Sequence, residues 1–360
     1  MPLATTDEVH YAVPDNMHQV LTPEGRMTGE GPDLPPDRLL QLYRWMLFGR
    51  VSSDRMVALQ RQGRMGTFSP IKGQEAATVG MAAPLKEKDW FLGSYREYLC
   101  YHVKGVPFES QLKQWTGHIA DTYPRQAHCV PFQIVLGTQV LHAVGIAHAI
   151  KYDSQPHVAL VGCGDGATSE GDFNEALNFA GVFKAPVIFV VQNNGWAIST
   201  PRHRQTAAEQ IADRGAGFGV PGCVVDGNDI LAMYQVVSEA IERARASEGP
   251  TLIEAVTYRL GAHTTADDPT KYRPPEEVEY WAKRDPIARF RTFLINEKSL
   301  TAAKDKKLQA EVEAEFDKTF AAFEVLPPPH PREHFKYVFE QPTPQLQRQE
   351  AQIMQELDLE

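Results

Sequence analysis

The chain has 360 residues, of which 42% are hydrophobic and 23% are charged, and its formal net charge is −10. These proportions are ordinary for a globular protein, and an acidic chain lacks the basic face that binds nucleic acid. No apolar run approaches the ~20 residues of a membrane helix, so we also expect no contact with a membrane.

The cysteines and the first residues bear on the compartment. Cys100, Cys129, Cys163 and Cys223 form no Cys-x-x-Cys pair, so the sequence favours neither a zinc site nor a disulfide framework. The segment Met1–Glu8 lacks the basic and apolar regions of a secretory signal. We therefore expect reduced thiols in a cytoplasmic protein.

Residues 1–36 contain prolines and glycines without apolar periodicity. This pattern predicts an irregular N-terminal arm packed on the rest of the chain. From Leu39 to Leu59, apolar residues then recur at helical spacing. Two further helices are predicted around Gln74–Ala83 and Glu97–Lys104.

From Leu136 onward, short apolar strands alternate with helices. The predicted strands are Val158–Val161, Val187–Val191, Val224–Val225 and Leu252–Val256. The predicted helices are Val140–Ile150, a helix marked by Phe173, Ala176, Leu177 and Ala180, and Ile230–Ser247. This alternation predicts an α/β protein whose parallel sheet carries helices on both faces.

After residue 268 the pattern becomes helical, with helices predicted at Pro286–Asn296, at Ala302–Glu324 and in a last segment through Leu357. The sequence therefore predicts three regions. They are the arm at 1–36, an α/β domain at 37–268, and a helical C-terminal extension at 269–360 that packs on the same domain.

A glycine-rich turn follows the predicted strand Val158–Val161. It reads Gly-Cys-Gly-Asp-Gly-Ala from Gly162 to Ala167, and a helix is predicted to begin near Ser169. Glycines let the backbone approach a ligand closely, and the free N–H groups of a helix start attract phosphate. The turn therefore predicts a phosphate-binding site.

Two interpretations of this turn compete. The spacing of Gly162, Gly164 and Ala167 matches the dinucleotide fingerprint G-x-G-x-x-G/A. That fingerprint needs an acidic residue at the end of the second strand to bind a ribose. The second strand here ends in Gln-Asn-Asn-Gly, from Gln192 to Gly195, without a carboxylate. We therefore disfavour a nicotinamide-binding dehydrogenase.

The asparagines favour a metal–diphosphate site instead. Asp165 and Asn194 follow successive strands, so both are expected at the carboxyl edge of the sheet, where α/β proteins bind ligands. A carboxylate and an amide oxygen are suitable ligands for Mg²⁺. The alternative is that Asn193, Asn194 and Gly195 form a plain turn. The strand–helix–strand context around them favours the metal site.

Gly-Asp-Gly followed by Asn-Asn resembles the signature of thiamine-diphosphate enzymes. The wider sequence resembles the alpha subunit of the decarboxylating component of 2-oxo acid dehydrogenase complexes. The resemblance is carried by the segments Ser94–Glu97, Gly164–Asp172, Asn193–Thr200 and Tyr258–His263. The stretch Thr264–Arg273 is more similar to the branched-chain (2-oxoisovalerate) branch than to the pyruvate branch, and the likeness covers most of residues 36–350.

The resemblance implies a thiamine-diphosphate-binding fold and a set of site residues. Its Mg²⁺ ligands would be Asp165, Asn194 and the backbone carbonyl of Trp196. The cofactor-binding residues would be Tyr95, Arg96, Leu136, Asp165, Gly166, Ala167, Asn194, Trp196, Ile198 and His263. Tyr95, Arg96 and His263 would contact the diphosphate and carry the catalytic roles. Phe68 would lie toward the acyl pocket.

The resemblance also implies a reaction and partners. The reaction would be oxidative decarboxylation of branched-chain 2-oxo acids by thiamine diphosphate and Mg²⁺. The acyl group would then pass to the lipoyl group of a partner dihydrolipoyl acyltransferase. The chain shows no second α/β module to supply a glutamate to the aminopyrimidine ring. A beta subunit in an α₂β₂ heterotetramer would supply it.

Two alternatives stay open. One is the alpha subunit of a pyruvate or acetoin dehydrogenase, and the other is a cofactor-free scaffold of the same fold. The intact set Asp165, Asn194, Arg96 and His263 argues against the scaffold. The family's loop before Gln139 is shortened here, so the sequence assigns neither a role to His128 nor a potassium site near Thr138. Thr264 stands where animal relatives carry a regulatory serine, and nothing in the sequence indicates its phosphorylation.

Overall fold

The computed structural model describes residues 13–118 and 123–357. The first 12 residues of the predicted arm, including the segment that lacks a secretory signal, lie outside the described residues. Within the described ranges, no helix is long and apolar enough to cross a lipid bilayer.

Within the described residues, the centre of the fold is a six-stranded sheet in the order β2-β1-β3-β4-β8-β7, and every pair of neighbours is parallel. Its strands are β1 (Trp90–Ser94), β2 (Cys129–Gln133), β3 (Ala159–Gly164), β4 (Val187–Asn193), β7 (Gly222–Asp226) and β8 (Thr251–Val256). A separate antiparallel hairpin joins β5 (Trp196–Ala197) to β6 (Thr200–Pro201).

Helices surround this sheet and continue beyond it. They are α1 (Pro36–Arg61), α2 (Glu75–Ala82), α3 (Tyr98–Val103), α4 (Phe108–Trp115), α5 (Thr138–Tyr152), α6 (Gly171–Phe183), α7 (Ile230–Arg245), α8 (Pro275–Ala282), α9 (Pro286–Asn296), α10 (Ala302–Glu324), α11 (Glu333–Lys336) and α12 (Pro344–Glu356). Short 3-10 helices lie at 125–127, 165–169, 202–204, 212–218 and 269–271.

Alternation along β4 shows that both faces of the sheet are covered. Ile188 and Val190 belong to the buried cluster that includes residues of α1, α2 and α7. Phe189 and Val191 belong to the cluster formed with α5 and α6. The prediction of a parallel sheet with helices on both faces is therefore confirmed.

The position of β1 and β2 corrects one expectation. The strand–helix alternation was predicted to start at Leu136, but the sheet already begins at Trp90. Gly93 interrupts the apolar run of β1, and β2 contains Pro131, which an edge strand tolerates because one side needs no ladder hydrogen bond. Helices α4 and α8 were also missed, whereas the predicted bounds of α9 and α10 coincide with the observed ones.

The described part of the arm, residues 13–35, contains no helix and is anchored on the sheet. His18 forms a parallel bridge with Val225 of β7. Asp229 accepts hydrogen bonds from the backbone N–H groups of Val20 at 2.8 Å and Leu21 at 2.5 Å. The division into regions at 1–36, 37–268 and 269–360 remains a prediction.

The strand order identifies where a ligand is expected to bind. Strands β1 and β3 are neighbours in the sheet. The strand that follows β1 in the chain, β2, lies on the outer side of β1, and the strand that follows β3, β4, lies on the opposite side, next to β3. Such a reversal leaves a crevice at the carboxyl ends of the two strands. The crevice here lies between the residues that follow Ser94 and those that follow Gly164.

Candidate active site

A cleft occupies this switch point. Its walls are formed by Gln74, Ser94, Tyr95, Arg96, Glu97, Leu136, Gln139, Gly164, Asp165, Gly166, Ala167, Gln192, Asn194, Trp196, Ala197, Ile198 and His263. All ten residues that the sequence predicts to contact the cofactor line it. They come from five separate segments, which the parallel strands bring to one edge of the sheet.

The three predicted metal ligands line the same cleft, and each of their oxygen groups accepts a hydrogen bond. Asp165 is buried and accepts a hydrogen bond from Nε2 of Gln205 at 2.7 Å. Oδ1 of Asn194 accepts from the backbone N–H of Trp196 at 3.2 Å, and the Trp196 carbonyl accepts from Arg259 at 3.1 Å. A carboxylate, an amide oxygen and a backbone carbonyl form a set of hard oxygen donors that suits Mg²⁺.

A bound cation would offset the cost of burying the Asp165 carboxylate. Burial raises the pKa of its carboxyl, while the hydrogen bond from Gln205 and the charge of Arg259 lower it. Among the described residues, no group of three or more His, Cys, Asp or Glu side chains is placed to hold a metal. A cation bound here would therefore rely on one carboxylate supported by neutral oxygens.

Three buried polar atoms of residues that line the cleft have no hydrogen-bond partner among the described residues. They are Nε2 of Gln74, Oε1 of Gln139 and Oε1 of Gln192. Buried polar atoms are nearly always hydrogen-bonded, and an unsatisfied one costs free energy. Nε2 of Gln74 is a donor that a phosphate oxygen can satisfy, whereas the two Oε1 atoms are acceptors that need donors. The site therefore fits a polar ligand that offers both acceptors and donors.

Arg96 is a fixed cation in the wall of the cleft. Its Nη2 donates to the carbonyl of His263 at 2.7 Å, and its Nε donates to the carbonyl of Pro70 at 3.2 Å. The guanidinium also lies 5.3 Å from the ring centroid of Tyr95. These contacts hold Arg96 and Tyr95 together just after the carboxyl end of β1, where a guanidinium can bind phosphate oxygens.

His263 is held as a neutral donor. Burial, together with the charges of Arg96 and Arg259, lowers its pKa to about 3. Nη1 of Arg259 lies 3.1 Å from Nδ1 of His263. Because a guanidinium can only donate, Nδ1 is the acceptor and Nε2 carries the hydrogen. The imidazole therefore offers one N–H group rather than a positive charge.

Arg259 organises this side of the cleft. Besides the Trp196 carbonyl and His263, it donates to the Ile198 carbonyl at 2.7 Å and to the Tyr272 hydroxyl at 2.9 Å. Burial lowers its pKa to about 10, with Arg96 as the next cause. Ile198 has a φ of 55°, a conformation that is strained for a β-branched residue. Strained backbone of this kind occurs preferentially at functional sites.

Sequence reasoning assigned no role to several residues of the site. Gln74, Glu97, Gln139, Gln192 and Arg259 all contribute to it. Two of them carried a local signal, since Glu97 follows Arg96 directly and Gln192 precedes the two asparagines. Gln74 is 120 residues from its partner Asn194, to which it is joined at 3.1 Å, so no local signal existed.

A second cavity of about 770 Å³ adjoins the cleft and shares Tyr95, Leu136 and His263 with it. Its other walls are Thr67, Ser69, Gln114, Trp115, Gly117, Phe132, Gln133, Ile134, Val135 and Thr264. Phe68, predicted to lie toward the acyl pocket, is fully buried behind this cavity and packs on Trp115 with ring centroids 5.2 Å apart.

The rim of the two spaces is apolar and open. Ile134 is 61% exposed, Val135 65% and Ile198 55%. Large exposed aliphatic side chains around a cleft are typical of a surface that another protein covers.

The sequence matches the family model described as "Dehydrogenase E1 component" over residues 43–332. It is 46% identical over 353 residues to the 3-methyl-2-oxobutanoate dehydrogenase subunit alpha of Mycobacterium tuberculosis, covering 94% of each chain.

Two pyruvate dehydrogenase E1 component alpha subunits are similar to nearly the same degree. The protein from Acholeplasma laidlawii is 44% identical over 327 residues, covering 88% of this chain and 93% of its own. The protein from Staphylococcus aureus (strain Mu50) is 44% identical over 284 residues, covering 78% and 77%. The predicted family is therefore confirmed, while the identities do not separate its branches.

Alpha subunits of this family pair with a beta subunit in a multienzyme complex, and the family depends on thiamine diphosphate. The chain belongs to the dehydrogenase E1 component family, as an alpha subunit of a 2-oxo acid dehydrogenase.

Proposed function

We propose that this chain binds the diphosphate end of thiamine diphosphate together with Mg²⁺ and, assembled with a beta subunit, oxidatively decarboxylates branched-chain 2-oxo acids of the 2-oxoisovalerate type. The observation that carries the proposal is the cleft at the switch point. Ten residues from five segments converge there, around a buried carboxylate and amide atoms that have no partner within the described ranges.

Each residue has a role that its contacts support. Asp165, Asn194 and the Trp196 carbonyl would hold Mg²⁺, while the backbone of Gly166 and Ala167 would approach the diphosphate. Arg96, next to Tyr95, would neutralise phosphate charge, and the Nε2–H of His263 would donate a hydrogen bond to a phosphate oxygen. Leu136 and Ile198 would provide apolar contacts. The bound cofactor supplies the electron sink for loss of CO₂.

The partners follow from the same site. The exposed aliphatic side chains of Ile134, Val135 and Ile198 support a protein partner that covers the cleft. We propose that a beta subunit covers it within an α₂β₂ heterotetramer and contributes the glutamate that faces the aminopyrimidine ring. The acyl group would then pass to the lipoyl group of a dihydrolipoyl acyltransferase.

The four cysteines are free thiols, which supports the cytoplasm as the compartment.

Two findings support the branched-chain substrate. One is the 46% identity to the mycobacterial 3-methyl-2-oxobutanoate dehydrogenase subunit alpha. The other is the adjoining cavity of about 770 Å³, whose aromatic and aliphatic walls at Trp115, Phe132 and Val135 offer room beyond a methyl group. Pyruvate remains the second candidate substrate because pyruvate dehydrogenase relatives reach 44% identity.

The test is turnover by this chain co-expressed with its beta subunit, with an artificial electron acceptor. An apolar pocket gains about 10–200-fold in kcat/KM for each methylene it accommodates. We expect kcat/KM for 3-methyl-2-oxobutanoate to exceed that for pyruvate by at least about tenfold. The alpha chain alone serves as the control and is expected to be inactive. A preference for pyruvate or acetoin would overturn the substrate assignment.

A further inference from the structure

Gln205 does not line the cleft, yet its side chain contacts the buried carboxylate of the cleft. Its Nε2 donates to Oδ2 of Asp165 at 2.7 Å and to the carbonyl of Thr200 at 3.2 Å. Its Oε1 is buried and has no partner in the part of the chain that the structure describes. The contact joins residues 40 positions apart, so it is produced by the fold rather than by local sequence.

The orientation of this amide follows from its neighbours. The Asp165 carboxylate and the Thr200 carbonyl are both acceptors, so the NH₂ group, not the carbonyl, must face them. Both amide hydrogens are then used. A carboxylate has about four acceptor positions, so it can accept the hydrogen bond from Gln205, together with those from the backbone N–H groups of Asp165 and Asn194, and still bind a cation.

The segment that carries Gln205 is itself fixed on the site. It begins at Gly195, whose carbonyl accepts from the backbone N–H of Arg202 at 2.9 Å. It continues through the hairpin of β5 and β6, in which Trp196 pairs with Pro201. One segment therefore delivers both the Trp196 carbonyl and the amide of Gln205 to the site.

The contact also restricts how the Asp165 carboxylate can turn. A hydrogen bond that holds a ligating carboxylate in one orientation favours cation binding, because the ligand is already oriented before the ion binds. Groups that hydrogen-bond a ligating side chain typically change metal affinity by about 10–100-fold when they are removed.

We infer that Gln205 is a positioning residue for the cation: its amide fixes the orientation of Asp165 so that the carboxylate is ready to bind Mg²⁺. The inference rests on the proposed function, because it requires Asp165 to be a metal ligand. It adds to the residues that line the cleft one residue outside it, Gln205, which orients a metal ligand.

The test uses Mn²⁺ as a spectroscopic probe for the Mg²⁺ site in the assembly of alpha and beta chains. Free Mn²⁺ is measured by electron paramagnetic resonance during titration at saturating thiamine diphosphate. Gln205→Met keeps the length of the side chain but removes the donor. Gln210→Met is the matched control, because Gln210 lies on the same segment and bonds Asn16 rather than Asp165.

We expect Gln205→Met to weaken Mn²⁺ binding about 10–100-fold and Gln210→Met to leave it within about twofold. Unfolding midpoints without metal are measured for both variants, since a purely structural role would lower the midpoint and leave the affinity unchanged. Unchanged affinity in Gln205→Met, or an equal loss in both variants, overturns the inference. Absence of Mn²⁺ binding by the wild-type assembly would instead refute the proposed function and the inference with it.

Discussion

Nη1 of Arg259 lies 3.1 Å from Nδ1 of His263 and also 3.1 Å from the carbonyl oxygen of Trp196. One buried guanidinium thus joins the proposed phosphate-binding imidazole to a proposed metal ligand. Since it is always a donor, it fixes which nitrogen of His263 carries the hydrogen. The positions of the His263 imidazole and of the Trp196 carbonyl therefore both depend on the side chain of Arg259.

Replacement of Arg259 by Lys tests this dependence. A lysine keeps the charge but cannot donate in fixed directions to Trp196, Ile198, Tyr272 and His263 together. Misplacement by about 1 Å can cost about 100-fold in rate, so we expect kcat/KM to fall by roughly that factor. The fall in kcat/KM is measured by steady-state kinetics of the assembly of this chain with its beta subunit. Arg284→Lys is the control, because Arg284 packs on Tyr280 away from the cleft. Equal activity of the two variants would contradict the prediction.

We expect His263 to contribute to the pH dependence of stability. Burial lowers its pKa to about 3 in the folded chain, against 6.5 for an ordinary histidine. Between these values the unfolded chain binds a proton that the folded chain excludes, so the free energy of unfolding decreases as the pH falls below about 6.5. We expect His263→Gln to show a shallower decrease between about pH 7 and pH 5 in urea unfolding. An identical slope would show that the imidazole is protonated in the folded chain.

Gly166 is required by close packing over the phosphate turn. A Cβ at this position would lie 2.8 Å from Cβ of Ala197. Gly166→Ala should therefore push β5 away and destabilise the fold by about 1–3 kcal/mol. We also expect weaker binding of thiamine diphosphate, measured by calorimetry. Gly171→Ala is the control, since a Cβ there meets no atom within 4 Å. A well-bound cofactor in Gly166→Ala would argue against close approach of this turn.

Asp229 is expected to dominate the attachment of the N-terminal arm. It accepts from the backbone N–H groups of Val20 and Leu21, and it lies 3.6 Å from Nη2 of Arg289. It also caps α7 through the N–H groups of Leu231 and Ala232. Its removal leaves a buried guanidinium less compensated, so Asp229→Ala should cost about 3–5 kcal/mol in the free energy of unfolding. Denaturant titration tests this, and a loss below about 1 kcal/mol would contradict it.

The chemistry of the site could be predicted from sequence where it depended on local pattern. The turn around Asp165, the asparagine at 194 and their flanking strands form a contiguous pattern, and the resemblance added the remaining contacts. Local signals were weaker at β1, where Gly93 breaks a short apolar run, and at β2, where Pro131 lies on an edge strand. For that reason the start of the sheet was placed too late.

The glutamines of the site could not be predicted in the same way. Gln74 bonds Asn194, Gln139 bonds the carbonyl of Gly162, and Gln205 bonds Asp165. Each pair comes together only when the strands have taken their order in the sheet. A neutral amide carries no charge pattern, and its role depends on which acceptors surround it. Three-dimensional contacts are therefore needed to recognise such positioning residues.

The central claim is that this chain binds thiamine diphosphate through Mg²⁺ held by Asp165. The most direct measurement is calorimetric titration of thiamine diphosphate, with and without Mg²⁺, into the assembly of this chain with its beta subunit. Asp165→Asn is measured in parallel, because it preserves shape and removes the charge. We predict saturable binding that requires Mg²⁺ and is lost in the variant. Absence of binding by the folded wild-type assembly, or equal binding by Asp165→Asn, would contradict the claim.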